Sequence, residues 1–375
     1  MMGLVSPDRR VVLAQLRADE DVQELKLLPP DRVPRQLNVA IGDPQAPLAT
    51  FLRILDLNGL LGDNGRLRPE VGLVSMGDHF DYGRPEQREQ AADDGLQILS
   101  WLAAHPPDQV QIIVGNHDLV RVGELATFTD ESYQEARAKA DEVLAGTMKE
   151  AAFLSKYPML ASAGVIARDY SCFNVQQRKL VTKLLKARRV RLAVATNANL
   201  LLVHAGVTLD DLEMVRPLSG ADAPSLAMAI NRYLDERVAR WKGEGPLDLA
   251  PLHEQGSAKT GEAKGILAHR PANPALKKVD RASRRYDPRS LPSGITQVIG
   301  HINDKKVREL MGDWVVSPTP VYGSLRGLTL GERPSYHLNC FDEDILLFLD
   351  GAMAHVDPVE YELFDLELRE RLVLR

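Results

Sequence analysis

The sequence alternates short apolar runs with longer amphipathic stretches, and this alternation restricts the fold more than any other feature. Residues 37–43 (LNVAIGD), 72–78 (GLVSMGD) and 110–118 (VQIIVGNHD) predict strands. The stretches between them, 48–61 and 86–105, predict helices. Strands and helices in alternation are typical of an α/β fold. A polar signature follows each strand, at the edge where open α/β sheets bind their ligands.

The middle of the chain predicts mostly helices over residues 119–190. Residues 191–206 (RLAVATNANLLLVHAG) predict two strands joined by a Thr-Asn-Ala-Asn turn. Another helix is predicted at 222–242, and the stretch 243–294 is loop-like because it is rich in Gly, Pro and charge. From residue 295 onward short strands are predicted, among them the segment DWVV.

These elements predict one large domain, because no convincing linker interrupts them. We expect a polar, partly helical leader at residues 1–36. The domain then covers residues 37–375 and contains a helical insertion at about 119–190.

Five short motifs bring together side chains that bind metal ions. In chain order they are GDPQ (42–45), GDHFDYG (77–83), GNHD (115–118), VHAG (203–206) and GHIND (300–304). They supply carboxylates, an asparagine carbonyl and imidazoles, a mixture that suits manganese, iron or zinc. A carboxylate between two such ions can bridge them, and a pair of ions can hold both ends of a phosphoryl displacement.

This ordered set resembles the calcineurin-like metallophosphoesterase superfamily and is closest to bacterial-type phosphoprotein phosphatases. The stretch SWLAAHPPDQVQIIVGNHD and the segment GILAHRP, at 265–271, are also similar to patterns of that branch. The resemblance covers about residues 37–303. It implies a four-layer αββα sandwich and a site with two divalent metal ions. Manganese is the most favoured metal, and iron or zinc also fits.

The resemblance also implies a role for each motif residue. Asp78 would bridge the two ions, and His117 would be the general acid, oriented by Asp81. A water or hydroxide held by both ions would be the nucleophile. The metal ligands implied by the resemblance are Asp43, Gln45, Asp78, Asn116, His204 and His301.

Two positions depart from the family pattern. Tyr82 stands where the second motif usually has a phosphate-binding arginine, so Arg270 becomes the better candidate for holding phosphate and Arg84 the second one. Gln45 stands where a histidine is usual. An amide oxygen is a harder ligand than imidazole, so we expect the first metal site to be weaker and biased toward manganese. His105 belongs to no motif and is interpreted as an ordinary structural histidine.

Composition narrows the expected partners. A net charge of −6 argues against a general nucleic-acid binder. Two cysteines provide no disulfide framework, and no apolar run approaches the length of a membrane span. We therefore expect a cytoplasmic protein whose partner is a phosphorylated substrate, either a phosphoprotein or a small phosphoester. The sequence leaves the oligomeric state open.

The expected reaction is hydrolysis of a phosphate monoester by direct attack of water, and the resemblance implies a protein-phosphatase-like enzyme with a phosphoprotein substrate. One alternative is hydrolysis of a phosphodiester or a dinucleoside polyphosphate at the same site. A second alternative, of another class, is a degenerate metallophosphoesterase fold that acts as a binding or regulatory module. Gln45 and Tyr82 favour this last interpretation, whereas the retained His117 opposes it.

Overall fold

The helices of the first half of the chain appear where the apolar pattern predicts them. The computed structural model describes residues 7–31, 35–216, 222–276, 284–317, 319–340 and 342–373. The α-helices in these ranges are α1 (Pro7–Gln23), α2 (Leu48–Leu57), α3 (Arg88–Ala103), α4 (Asn116–Leu119), α5 (Asp130–Leu144), α6 (Glu150–Lys156), α7 (Val175–Lys186), α8 (Leu209–Val215), α9 (Ala223–Trp241) and α10 (Asp304–Met311). A short π-helix covers Val165–Asp169.

Twelve of the strands in the described residues form two mixed six-stranded sheets and the other four form two two-stranded sheets, so the predicted α/β class is confirmed. The strands are β1 (Val39–Ile41), β2 (Leu73–Ser75), β3 (Val110–Ile113), β4 (Val190–Arg191), β5 (Ala193–Asn197), β6 (Leu200–Val203), β7 (His253–Glu254), β8 (Lys264–Gly265), β9 (Arg270–Pro271), β10 (Arg285–Tyr286), β11 (Thr296–Ile299), β12 (Arg326–Thr329), β13 (Ser335–Leu338), β14 (Leu346–Phe348), β15 (Phe364–Asp365) and β16 (Glu370–Arg371). The first sheet has the order β16-β15-β1-β2-β3-β4, and the second has the order β13-β12-β14-β11-β6-β5.

Successive side chains of a strand point to opposite faces of the sheet, and this alternation divides the core. In β1, Ala40 belongs to a buried cluster that also contains Leu202 of β6 and Val298 of β11. Its neighbours Val39 and Ile41 belong to another cluster, which includes side chains of α2 and α3. The strands are therefore buried on both faces. One face of the first sheet shares its core with the second sheet, and the other is covered by helices.

The region between β3 and β4 is mostly helical, as predicted, and has a buried cluster of its own. Aromatic side chains dominate this cluster, which contains Phe128, Tyr133, Phe153, Tyr157 and Tyr170. The region is also tied to the sheet-covering helix α3, because Arg88 donates hydrogen bonds to Asp141 of α5 and to the carbonyl of Ala167. Its description as an insertion stays a prediction.

The segment after the last motif differs from the prediction. Residues 304–311 form α10, which the sequence pattern did not indicate, and the side chain of Asn303 caps its first turn by accepting from the Lys306 amide at 3.2 Å. The segment DWVV is not a strand. It lies partly in a 3-10 turn at Gly312–Trp314, and Val315 makes only an isolated bridge to Tyr336.

Helix α1 lies in the segment predicted as a polar, partly helical leader, and it packs against α2 and α3. Its small residues Ala14 and Ala18 are fully buried in the same core as the first sheet. Across the described part of the chain, no helix combines the length and apolarity that crossing a bilayer requires.

Candidate metal centre

The motif residues lie directly after the carboxyl ends of parallel strands in both sheets. Strands β1, β2 and β3 are mutually parallel, as are β6 and β11, so their carboxyl ends line one edge of each sheet. Asp43, Asp78 and Asn116 follow the three strands of the first sheet, and His204 and His301 follow the two strands of the second. The side chains from the two edges meet and form one buried group.

Three hydrogen-bond acceptors face one another in this group, and we call them the acceptor cluster: Asp78 Oδ2, Asn116 Oδ1 and His204 Nε2. Nδ1 of His204 lies 2.9 Å from the Met76 carbonyl, which holds a proton on Nδ1, so Nε2 presents the lone pair of the neutral ring. That Nε2 lies 3.3 Å from Asp78 Oδ2 and 3.1 Å from Asn116 Oδ1. Such separations match those between ligands that are each about 2.1 Å from one ion. A cation would satisfy all three atoms.

His301 completes a set of side chains that could hold a metal ion. The potential ligand atoms of Asp78, His204 and His301 all lie within 4.8 Å of one another. His301 Nε2 is buried and has no hydrogen-bond partner in the described part of the chain. Burial and the positive charge of Arg270 hold the pKa of His301 well below its ordinary value, so its lone pair is available to a metal.

Asp43 brings a second carboxylate to the same place. Its Oδ2 accepts a hydrogen bond from the His301 amide at 2.7 Å, while its buried Oδ1 has no partner among the described residues. Burial, together with the negative charges of Asp350 and Asp78, raises the pKa of Asp43 well above its ordinary range. Three buried carboxylates at one site repel each other unless positive charge compensates them, so this donor set fits a divalent cation.

Two glycines allow the carboxylates to lie against the backbone. A Cβ at Gly300 would be 1.9 Å from Asp43 Oδ1, and a Cβ at Gly115 would be 2.0 Å from Asp78 Oδ1. The carboxylates could not occupy these positions beside any other residue. The glycines of the GNHD and GHIND motifs are therefore required by close approach rather than by a turn.

His117 and Asp81 form a dyad beside the acceptor cluster. His117 Nδ1 lies 3.0 Å from Asp81 Oδ2, and Arg121 Nη1 donates to the same oxygen at 2.6 Å. Burial raises the pKa of Asp81, but the charge of Arg121 and the hydrogen bond from His117 outweigh it and hold that pKa below its ordinary value. Burial lowers the pKa of His117, but Asp78 and Asp81 raise it by more, which favours the protonated imidazole.

Asp118 holds the loops that carry these groups, although no role was predicted for it from the sequence. Its carboxylate accepts the amides of Asp78 and Gly115 at 3.0 and 2.8 Å. It also lies 3.0 Å from Nδ1 of the buried His79. The hydrogen bonds of one carboxylate thus hold together the segment that follows β2 and the segment that follows β3.

His117 of the dyad and four of the metal candidates, Gln45, Asp78, Asn116 and His301, line a cavity of about 470 Å³. Its wall includes three arginines, of which only Arg270 was a sequence candidate; the others are Arg168 and Arg284. Arg84 is exposed and does not line this cavity. Tyr82 also points elsewhere, because its hydroxyl donates to Asp94.

Gln45 lines the cavity, with its amide nitrogen donating to the Phe80 carbonyl at 2.9 Å. The amide oxygen is the only atom of this side chain that could bind a metal. Because the nitrogen faces the Phe80 carbonyl, the oxygen lies on the opposite side of the amide. Asp350 also lines the cavity and was not predicted. It follows β14 directly, so the strand-end signal that identified the other carboxylates applies to it too.

The structure therefore shows an α/β protein with a buried Asp/His cluster that could hold a metal ion. Comparisons with models of known protein families and with curated proteins find no match to this chain.

Proposed function

We propose that this protein is a metal-dependent phosphoesterase that hydrolyses phosphate monoesters. The observation that carries the proposal is the acceptor cluster, because Asp78 Oδ2 and Asn116 Oδ1 both lie within 3.3 Å of His204 Nε2 and all three atoms are of the kinds that divalent metal ions bind. The His117–Asp81 dyad beside it and Arg270 in the same cavity supply the other groups that phosphoester hydrolysis needs.

The proposed architecture is the four-layer αββα sandwich of the calcineurin-like metallophosphoesterases, with residues 119–190 as a helical insertion. The buried cluster shared by the two sheets supports the two inner layers. Helices α2 and α3 on the first sheet and α9 on the second support the outer layers.

The proposed metal ligands are those of the five motifs: Asp43, Gln45, Asp78, Asn116, His204 and His301. Bound divalent ions would supply positive charge that lowers the pKa of water toward 7 and polarises the phosphoryl oxygens. An amide oxygen from Gln45 in place of imidazole favours manganese over zinc. Metal analysis that finds two tightly held zinc ions after dialysis would contradict this preference.

Two residues of the chain are proposed to protonate the leaving group and to hold the phosphate. Hydrolysis forms a bond from water oxygen to phosphorus and breaks the bond to the ester oxygen, which needs a proton. His117 holds its Nδ1 hydrogen on Asp81, so its Nε2 is free to give a proton to the departing oxygen. The guanidinium of Arg270 is suited to holding a phosphate oxygen, since its Nε is buried and has no partner in the described part of the chain.

The cavity favours a small phosphoester over a phosphoprotein as the substrate. Its volume lies in the range of small-molecule sites, and residues 161–170 of the helical region form part of its wall. A phosphopeptide assay beside small esters tests this choice. Turnover of phosphopeptides but not of small esters would reverse it.

Replacing His117 with alanine is expected to lower kcat for phenyl phosphate about 10²-fold, since the departing phenoxide is a poor leaving group unless it receives a proton. The decrease in kcat for p-nitrophenyl phosphate should be much smaller, because p-nitrophenolate is a stable anion that leaves without being protonated. Steady-state assays with added manganese measure both. The exposed His355→Ala variant is the control and should match the wild type.

Two results would overturn the proposal. Equal turnover by wild type and His117→Ala on every ester would favour the binding or regulatory module. Cleavage of bis-p-nitrophenyl phosphate or diadenosine tetraphosphate without monoester turnover would favour the phosphodiesterase alternative.

The two arginine candidates are expected to behave differently. Replacing Arg270 with alanine should raise KM, and the inhibition constant for inorganic phosphate, about tenfold because a charge-assisted contact is lost. Replacing Arg84 should change neither, since it is exposed outside the cavity. Phosphate inhibition of p-nitrophenyl phosphate hydrolysis measures both variants. A larger effect at Arg84 would reassign the phosphate contact.

A further inference from the structure

Tyr170 comes from the helical region but touches two motif residues of the candidate site. It follows the π-helix Val165–Asp169 and is buried in the aromatic cluster of that region. Its side chain also lines the cavity. None of the five motifs contains it, and no sequence pattern indicated a role for it.

The hydroxyl of Tyr170 contacts the amide of Asn116. Asn116 Nδ2 donates to this hydroxyl at 3.3 Å, and Oδ1 of the same amide lies 3.1 Å from His204 Nε2. Only the oxygen end of an amide can bind a metal ion. By giving the nitrogen a partner on the far side, the hydroxyl favours the orientation in which the oxygen belongs to the acceptor cluster.

The ring of Tyr170 contacts the imidazole of His117. The two rings meet edge to face, with centroids 4.9 Å apart and an angle of 77° between their planes. Two residues later, the Cys172 amide donates to Asp81 Oδ1 at 2.9 Å. This short segment therefore restrains both members of the dyad.

We propose that Tyr170 is a positioning residue with two separable roles at this site. Its hydroxyl orients Asn116 toward the metal, and its ring orients His117 toward the leaving group. The second role rests on the proposed function, whereas the first requires only that the site binds a metal.

Tyr170→Phe tests the role of the hydroxyl, because it removes the oxygen and keeps the ring. Manganese affinity of the metal-free protein, measured by calorimetry, is expected to fall about tenfold, the lower end of the loss seen when partners of metal ligands are removed. The ratio of kcat for p-nitrophenyl phosphate to kcat for phenyl phosphate should stay at the wild-type value. Wild-type manganese affinity in this variant would overturn the first role.

Tyr170→Ala tests the role of the ring. Without the edge-to-face contact His117 can rotate, so kcat for phenyl phosphate should fall about tenfold more than kcat for p-nitrophenyl phosphate. A structural defect that only reduces the active fraction would lower both rates equally and leave their ratio unchanged. An unchanged ratio would therefore overturn the second role.

Tyr157→Ala is the matched control. Tyr157 lies in the same aromatic cluster, and its buried hydroxyl has no partner among the described residues, so the variant loses a similar ring from the same core. Its manganese affinity and rate ratio should equal those of the wild type. If it changes both as Tyr170→Ala does, the positioning roles are wrong. If the wild type binds manganese but hydrolyses no ester, the proposed function fails, and Tyr170→Phe still decides the first role.

Discussion

Replacing Asp78 with asparagine is expected to abolish hydrolysis and metal binding while making the metal-free protein more stable. The change is nearly isosteric, and asparagine tolerates the left-handed backbone that Asp78 has, with φ of 55°. Its amide oxygen can still accept the hydrogen bond that the His117 amide gives Asp78 Oδ1 at 2.8 Å. The loop should therefore keep its shape.

The opposite effects on binding and stability follow from the acceptor cluster. In the variant, the new amide nitrogen can donate to His204 Nε2, which faces Asp78 Oδ2 at 3.3 Å. The carboxylate charge that opposes Asp43 also disappears. The same change removes the charged ligand central to the proposed metal site, so kcat/KM should fall by at least about 10³-fold.

Thermal unfolding with chelator and with added manganese measures both effects. We expect the wild type to be stabilised by manganese, because a ligand that binds only the folded state raises its stability, and the variant to lose this response. Asp222→Asn is the control, since Asp222 caps α9 and asparagine caps helices equally well. A variant that is less stable without metal, or that keeps the full response to manganese, would contradict a cation at this site.

The sequence indicated much of this group because one physical rule covers it. Asp43, Asp78, Asn116, His204 and His301 all follow apolar strands, and parallel strands bring their carboxyl ends to one edge. The same rule extends to Asp350, which the motif order alone did not reveal. The assignment of the five as metal ligands stays a prediction that the experiments above test.

Residues that approach the site from distant segments could not be predicted in this way. Tyr170 and Arg168 depend on how the helical region packs over the cavity, and no local pattern encodes that docking. Arg84 shows the converse, since it lies close to a motif in sequence but outside the cavity in space. Tyr82 likewise pairs with Asp94 of α3.

The fold was predictable where periodicity was strong. Helix α10 escaped prediction because it is short and rich in charge, so that its buried stripe of Val307, Leu310 and Met311 is brief. The segment DWVV has the β-branched residues of a strand, but its pairing with the neighbouring strand is limited to one isolated bridge between Val315 and Tyr336. Local propensity was overridden by the packing of the surrounding chain.

His105 shows how differently a histidine behaves away from the acceptor cluster. It is buried, its Nδ1 lies 2.8 Å from the Trp101 carbonyl, and its Nε2 accepts the Leu67 amide at 3.1 Å. Nε2 therefore carries no proton. Burial lowers the pKa of His105 from 6.5 to about 3, and the positive charge of Arg66 adds to this. This is the structural histidine that the sequence analysis expected.

The pKa of His105 predicts a loss of folding stability in acid. His105 takes up a proton near pH 6.5 in the unfolded chain but only near pH 3 in the folded chain. The contribution of His105 to the free energy of unfolding is therefore complete above pH 6.5 and declines between those two values. The decline amounts to about 2 kcal/mol at pH 5 and about 4 kcal/mol at pH 3. His105→Gln keeps a donor and an acceptor without titrating, so its free energy of unfolding should fall less between pH 8 and pH 5.

Urea unfolding with chelator present measures the difference, and His355→Ala should retain the wild-type pH dependence. Parallel curves for wild type and His105→Gln would mean that His105 titrates alike in the folded and unfolded chains, which its two buried hydrogen bonds argue against.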